Sequence, residues 1–281
     1  MDIHREAHRQ LAGMYPEREI DSFVRILVKS ASAMRCALPM QCASQLPPDA
    51  QQQILTAICE LKKYRPIQYI LGETKFYGLP FEVCPDVLIP RPETEELVDW
   101  IVRGYDKSAP LSIVDIGTGS GCIAISLKTN FNRANVWAID ISEPALTVAR
   151  RNAEKNGTVI NFLLKDVLND GMMGFERSSI DVIVSNPPYV TPSEKSYMLP
   201  NVLDYEPHCA LFTPENDPLI YYKCIASFGK KCLKVGGKIF FEINEAYLDK
   251  MAEVLNEHGY SKITPRKDIN DKWRMILGYK D

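Results

Sequence analysis

Leu111-Ser112-Ile113-Val114-Asp115-Ile116-Gly117-Thr118-Gly119-Ser120-Gly121 is the stretch on which the fold turns. Its first half is apolar and β-branched, as suits a strand buried on both faces, and its second half places glycine at every other position. Backbone of that kind can bend sharply and come close to a ligand where a helix begins. Outward from it the alternation repeats: a helical segment at 122–127, a strand at 135–139, a helix at 144–156, then strands at 160–164 and 180–185. A helix at 219–233, a strand at 238–243 after Gly236-Gly237, a helix at 247–259 and short strands at 260–264 and 273–279 complete the chain. Strand and helix in turn, with seven strands in all, predict an α/β fold with a doubly wound, mostly parallel sheet.

The segment before it has another character. Ile20, Phe23, Val24, Leu27 and Val28 form one helical stripe, and Ile54, Leu55, Ile58 and Leu61 form a second after the break at Pro47-Pro48-Asp49. Residues 1–72 therefore read as a small helical domain, more suited to packing or partner docking than to chemistry. Residues 73–86 alternate around Gly78-Leu79-Pro80 and predict a linking β-hairpin, leaving 87–281 for the α/β domain. Pro90-Arg91-Pro92-Glu93-Thr94-Glu95-Glu96 opens a helix with prolines and acids fitted to a first turn. Arg91 has two readings on residues alone, a solvated loop cation or a partner for a ligand anion.

Composition narrows the function classes. The 281 residues are 46% hydrophobic, enough for a sizeable core, and the net charge of −3 argues against a broad grip on nucleic acid. The densest basic cluster, Lys62-Lys63-Tyr64-Arg65, suits a solvated helix end. Eight cysteines without a C-x-x-C pair suggest reduced thiols, with no metal-ligating set expected. With neither a leader nor a long apolar run, the expected setting is soluble and cytoplasmic, with no membrane association.

The glycine turn departs from a dinucleotide fingerprint, because Cys122 stands where G-x-G-x-x-G needs its third glycine and that glycine comes one residue early, at Gly121; the spacing is D-x-G-x-G-x-G. Asp140 closes the next strand, where a carboxylate can accept both hydroxyls of a ribose, and Asp166 follows the third, in reach of an exocyclic amine. Singly such acids are helix caps or loop residues. Three beside one glycine turn predict an adenosine site.

In Ser185-Asn186-Pro187-Pro188-Tyr189, two prolines end the strand that begins at Ile180 and remove backbone donors, so the turn presents carbonyl acceptors. An Asn-Pro step ends ordinary loops too, and both readings stand on these residues alone.

The combination resembles the class I S-adenosylmethionine-dependent methyltransferases. The resemblance implies that Asp115, Gly117, Thr118, Gly119, Ser120, Gly121, Asp140, Asp166 and Asn186 hold S-adenosyl-L-methionine. It also implies that the last two strands form an antiparallel edge pair. Within that class, Asn186-Pro187-Pro188-Tyr189 is similar to the turn of enzymes that methylate a planar nitrogen. There Asn186 and Pro187 accept hydrogens from an NH₂ group, Tyr189 packs on the flat target, and Pro188 completes the substrate surface. Adenine, cytosine and glutamine all carry such a group. Gln68-Tyr69 with Gly72, Phe76-Tyr77-Gly78, Ile89-Pro90-Arg91-Pro92-Glu93-Thr94-Glu95 and Glu206-Pro207 resemble the release factor glutamine methyltransferases over about residues 20–281. That resemblance implies peptide chain release factors as protein substrates, methylated on the glutamine of a Gly-Gly-Gln loop, and no stable nucleic-acid binding. An amino-group methyltransferase of nucleic acid and a non-catalytic adenosyl-binding protein are the other readings. The chain departs from the family pattern at residues 213–218, at Asn244-Glu245-Ala246 and at Asp271.

Overall fold

The computed structural model describes residues 2–33, 46–171 and 174–281. The helical reading of residues 34–45, with Cys36 and Cys42, lies outside them. The chain divides into two compact units, residues 1–72 with Leu199–Tyr205, and Glu73–Met198 with Glu206–Asp281.

The first unit packs α1 (Ile3–Leu11), α2 (Glu17–Ala33), α3 (Pro48–Leu61) and α4 (Ile67–Leu71). Ile20, Val24, Leu27, Ile54, Ile58 and Leu61 are buried together with Ile3, Ala7 and Leu11. The stripes of α2 and α3 thus close on α1. At the end of α3, Lys63 and Arg65 both pair with Glu60, so the basic cluster is a partly neutralised helix end.

The second unit opens on a hairpin, β1 (Glu73–Phe76) and β2 (Leu79–Glu82), turned by Tyr77 and Gly78. Leu79 and Pro80 belong to the second strand, so the turn comes earlier than the spacing suggested, because in this hairpin Tyr77 and Gly78 are the residues with positive φ. Phe76 and Phe81 enter the sheet core, and Asn152 bonds both the N–H and the carbonyl of Glu82. After α5 (Pro92–Arg103) come β3 (Ser112–Ile116), α6 (Cys122–Asn130), β4 (Asn135–Asp140), α7 (Glu143–Lys155), β5 (Asn161–Leu164) and β6 (Ile180–Ser185). The proline-studded stretch after residue 190 is ordered. It carries a 3₁₀ turn, Pro192–Tyr197, and the short helices α8 (Pro200–Leu203), which belongs to the first unit, and α9 (His208–Leu211), each opened by or just after a proline. Then follow α10 (Ile220–Cys232), β7 (Leu233–Glu242), α11 (Leu248–Glu257), β8 (Tyr260–Lys267) and β9 (Trp273–Lys280).

The seven strands run in the order β5-β4-β3-β6-β7-β9-β8, with β9 and β8 antiparallel at one edge and the others parallel. Successive residues face opposite layers. Ile113, Val182 and Phe240 join the core beneath α5 and α6, while Val114, Ile183 and Ile239 join that of α10 and α11. The start of β7 is earlier than Gly236-Gly237 suggested, because Leu233 already pairs with Ile180 and the glycines are accommodated in a register shift. No helix among the described residues is long and apolar enough to cross a membrane.

Arg91 has a structural partner. Its Nη2 lies 2.6 Å from Oε1 of Glu206, whose side chain is 1% exposed and also accepts from the Ile89 N–H. Burial raises the Glu206 carboxyl and Arg91 opposes that rise. Arg91→Ala leaves a buried carboxylate unpaired, an expected loss of about 3 kcal/mol measurable as a lower urea midpoint.

Candidate active site

The glycine turn is held from below. Gly117 and Thr118 donate their N–H groups to the Ile139 carbonyl at 2.9 and 3.0 Å, and Gly121 donates to Thr118 at 2.9 Å. Gly121 sits at φ +82°, where a Cβ would lie 3.0 Å from Ile125 Cδ1 and 3.1 Å from Ala149 Cβ. No larger residue fits between α6 and α7 at that point. Asp115 is fully buried beneath the turn, where its Oδ2 accepts from Thr118 Oγ1 at 2.6 Å and from the Ala124 N–H at 3.2 Å. Thr118 and Ser120 are buried too. The four residues Asp115, Thr118, Ser120 and Gly121 shape the turn without lining the cleft above it.

Burial pushes the Asp115 carboxyl from 3.8 up to about 7, against the pull of its two hydrogen bonds. In that interval the folded chain keeps a proton that the unfolded chain has released, so stability falls as pH rises through it. Asp115→Asn is expected to flatten the slope of urea midpoint against pH between about 4 and about 7.

The cleft opens at the carboxyl ends of the parallel strands, lined by Gly117, Gly119, Asp140, Asp166, Asn186, Pro187 and Pro188, with apolar walls from Ile116, Ile139, Ile141 and Ile225. Asp140 is half-buried, and its carboxyl is raised by burial despite backbone donors. Its Oδ2 accepts from the Gly119 N–H at 2.8 Å and its Oδ1 from the Ser142 N–H at 3.0 Å. A carboxylate has about four acceptor positions, so each oxygen keeps one for a ligand. Asp166 follows β5 by two residues and is partly engaged in its own turn, accepting from Leu168 N–H and Asn169 Nδ2. Gly119, at φ +54°, has open space where a Cβ would stand, leaving its backbone approachable.

Asn186 is oriented by a network that the sequence did not announce. Thr94 Oγ1 donates to Glu242 Oε2 at 2.6 Å, so its lone pairs face Asn186, whose Nδ2 donates to it at 3.3 Å. An amide assigned this way has its nitrogen toward Thr94 and its oxygen on the other side. Among the described residues no donor reaches Asn186 Oδ1. Tyr189 lies outside the cleft lining and donates its hydroxyl to Glu242 Oε1 at 3.3 Å, with burial holding the phenol well above its ordinary value. Glu242 is itself buried, which raises its carboxyl, while Thr94 and the nearby Arg274 pull the other way. The helix-opening run containing Thr94 and the end of β7 were legible as elements, but their meeting across 148 residues was not.

Two of the family pattern's departures fall on sites with visible accommodation. Asp271 stands at φ +61°, a backbone position that favours glycine and that Asp tolerates, in a turn closed by Asp268 and Arg274. Asn244 caps a 3₁₀ turn and donates to Glu194 Oε1 at 3.2 Å.

The Methyltransferase small domain family matches residues 100–203. A Bacteroides thetaiotaomicron protein named release factor glutamine methyltransferase is 49% identical over 80% of this chain and 80% of its own length. The Flavobacterium psychrophilum protein of the same name is 44% identical over 95% of this chain and 94% of its own length. The chain belongs to the release factor glutamine methyltransferases. A solved methyltransferase from Pyrococcus furiosus shares the fold, with a TM-score of 0.51 and 21% identity over 83% of this chain and 98% of that one. As a member of the release factor glutamine methyltransferase family, the chain is an enzyme that uses S-adenosylmethionine. Its cleft fits that molecule, with an approachable glycine backbone, a part-buried carboxylate with acceptor capacity to spare, and apolar walls beside them.

Proposed function

We propose that this enzyme methylates the side-chain amide nitrogen of the glutamine in the Gly-Gly-Gln loop of peptide chain release factors. The observation that carries the reading is the Asn186 amide, whose oxygen is left free at the cleft by the Thr94 and Glu242 contacts. Asp140 holds the ribose of S-adenosylmethionine, Asp166 faces its base, and the Gly117 and Gly119 backbone carries its amino-acid end. Bound there, S-adenosylmethionine supplies an electrophilic methyl group.

An amide nitrogen is a poor nucleophile because its lone pair is delocalised into the carbonyl. Asn186 Oδ1 and the Pro187 carbonyl each accept one hydrogen of the NH₂, which turns the lone pair toward the methyl and favours the positive charge that develops on nitrogen. Neither proline carries an N–H that would compete for these acceptors. Once methylated, the nitrogen is acidic and its proton passes to water, so no strong base is needed. The helical unit and the ordered segment after Val190 serve to dock the protein substrate, in the cytoplasm where translation terminates.

The test is methylation of a purified release factor with methyl-labelled S-adenosylmethionine, beside the same factor with the loop glutamine changed to alanine and beside DNA and RNA. Label confined to the intact loop is expected. Label on the alanine variant, or on nucleic acid alone, would sink the reading. Asp140→Ala is expected to weaken cofactor affinity roughly 10- to 100-fold in a calorimetric titration, the loss of hydrogen bonds to a charged acceptor at about 1.5–3 kcal/mol.

A further inference from the structure

His4 and His8 lie one turn apart on the same face of α1, their ring centroids 4.5 Å apart and tilted by 32°. Both direct Nε2 to a single oxygen of Asp21 on α2, at 2.9 and 2.8 Å. The three ligand atoms fall within 4.8 Å of one another, and among the described residues this is the one group of three or more His, Cys, Asp or Glu side chains so arranged. Helix ends, caps and core packing do not require it. Asp2 already caps α1, and the helices are held together by Ile3, Ala7 and Leu11 on the buried side.

One carboxylate oxygen shared by two neighbouring imidazoles makes thin use of hydrogen bonding, yet it brings two nitrogen lone pairs and a carboxylate to one point. We propose that His4, His8 and Asp21 form a binding site for a late first-row divalent cation of the Zn²⁺, Ni²⁺ or Cu²⁺ kind. Imidazole nitrogen suits these ions, whereas Mg²⁺ and Ca²⁺ take oxygen ligands. Metal–ligand bonds near 2.0–2.2 Å put neighbouring ligand atoms of a tetrahedral site roughly 3.3 Å apart, so each imidazole nitrogen needs to draw back from the Asp21 oxygen by only a few tenths of an ångström. They are free to do so, the side chains of His4 and Asp21 being 58% and 44% exposed. That exposure also leaves room for water as the remaining ligand. A cation held this way ties α1 to α2, outside the methyl-transfer cleft, and stabilises the folded chain by mass action.

The test uses the full chain, stripped with a chelator and titrated with Zn²⁺ by calorimetry and with Co²⁺ by visible absorption. Saturable uptake of one ion per chain is expected, with a higher Tm in Zn²⁺ and none in Mg²⁺. His4→Ala, His8→Ala and Asp21→Asn are each expected to weaken uptake roughly 10-fold or more while the far-ultraviolet circular dichroism stays as in the parent. Cysteine-borne binding is separated by the double variant His4→Ala/His8→Ala, which keeps every thiol. Undiminished uptake by that double variant, or no saturable uptake by the parent chain, overturns the proposal.

Discussion

Asn186→Ala is expected to lower kcat for release factor methylation on the order of 100-fold, about 3 kcal/mol, the size of effect seen when one preorganised polar group is removed from a developing charge. The contact that is lost matters little before reaction, when the amide hydrogens of the substrate are only weakly polarised. It strengthens as the nitrogen gains positive charge, so the loss belongs in kcat more than in KM. Affinity for S-adenosylmethionine, read by calorimetry, should move far less than it does in Asp140→Ala, because the proposed ribose acceptor Asp140 is left in place. The substitution also leaves the Thr94 hydroxyl without the Asn186 donor, but that hydroxyl keeps its bond to Glu242. Folding should therefore be nearly unaffected. If Asn186→Ala retained half of the parental turnover at saturating substrates, the role assigned to its oxygen would be untenable.

What could be read from the chain followed the range of the interactions involved. The parallel strands were legible because burial on both faces forces unbroken apolar runs such as Ile113-Val114 and Val182-Ile183-Val184, and the cleft followed from their common direction. The position of Asp140 at a strand end was legible for the same local reason. Asp115 was not, since a strand-end acid reads alike whether its side chain rises to the ligand or turns under the loop, and only packing against Thr118 and Ala124 decides. Arg91 stayed ambiguous for want of Glu206, 115 residues away, and the early start of β7 was hidden because a glycine pair marks a turn and a sheet irregularity equally well. Asp271 shows the reverse case. A non-glycine where the resemblance led one to expect glycine looked like a departure in loop shape, yet the backbone there adopts the left-handed conformation all the same.

The least legible feature yields the sharpest remaining expectation. Thr94 is 2% exposed, and its hydroxyl links the buried Glu242 to the Asn186 amide. Because Glu242 Oε2 accepts the hydroxyl hydrogen, the oxygen of Thr94 can only accept from Asn186, and that polarity turns the Asn186 nitrogen inward and its oxygen to the cleft. Thr94→Val keeps the shape and removes the polarity. Asn186 then has no acceptor to hold its nitrogen, and its amide can reverse, presenting NH₂ to the NH₂ of the substrate. A fall in kcat of roughly 10-fold or more is expected, the cost of one misdirected hydrogen bond at about 1.5 kcal/mol, together with a loss of stability of about 1–3 kcal/mol for the underpaired buried groups. The two effects are separable. Turnover is measured well below the Tm of the variant, and far-ultraviolet circular dichroism serves as the control for a folded chain. Thr94→Ser restores the hydroxyl with one methyl fewer and should recover most of the rate, whereas a purely packing role for Thr94 predicts that Val is tolerated and Ser is worse. Parental turnover in Thr94→Val, or failure of Ser to outperform Val, would remove Thr94 and Glu242 as the groups that position Asn186.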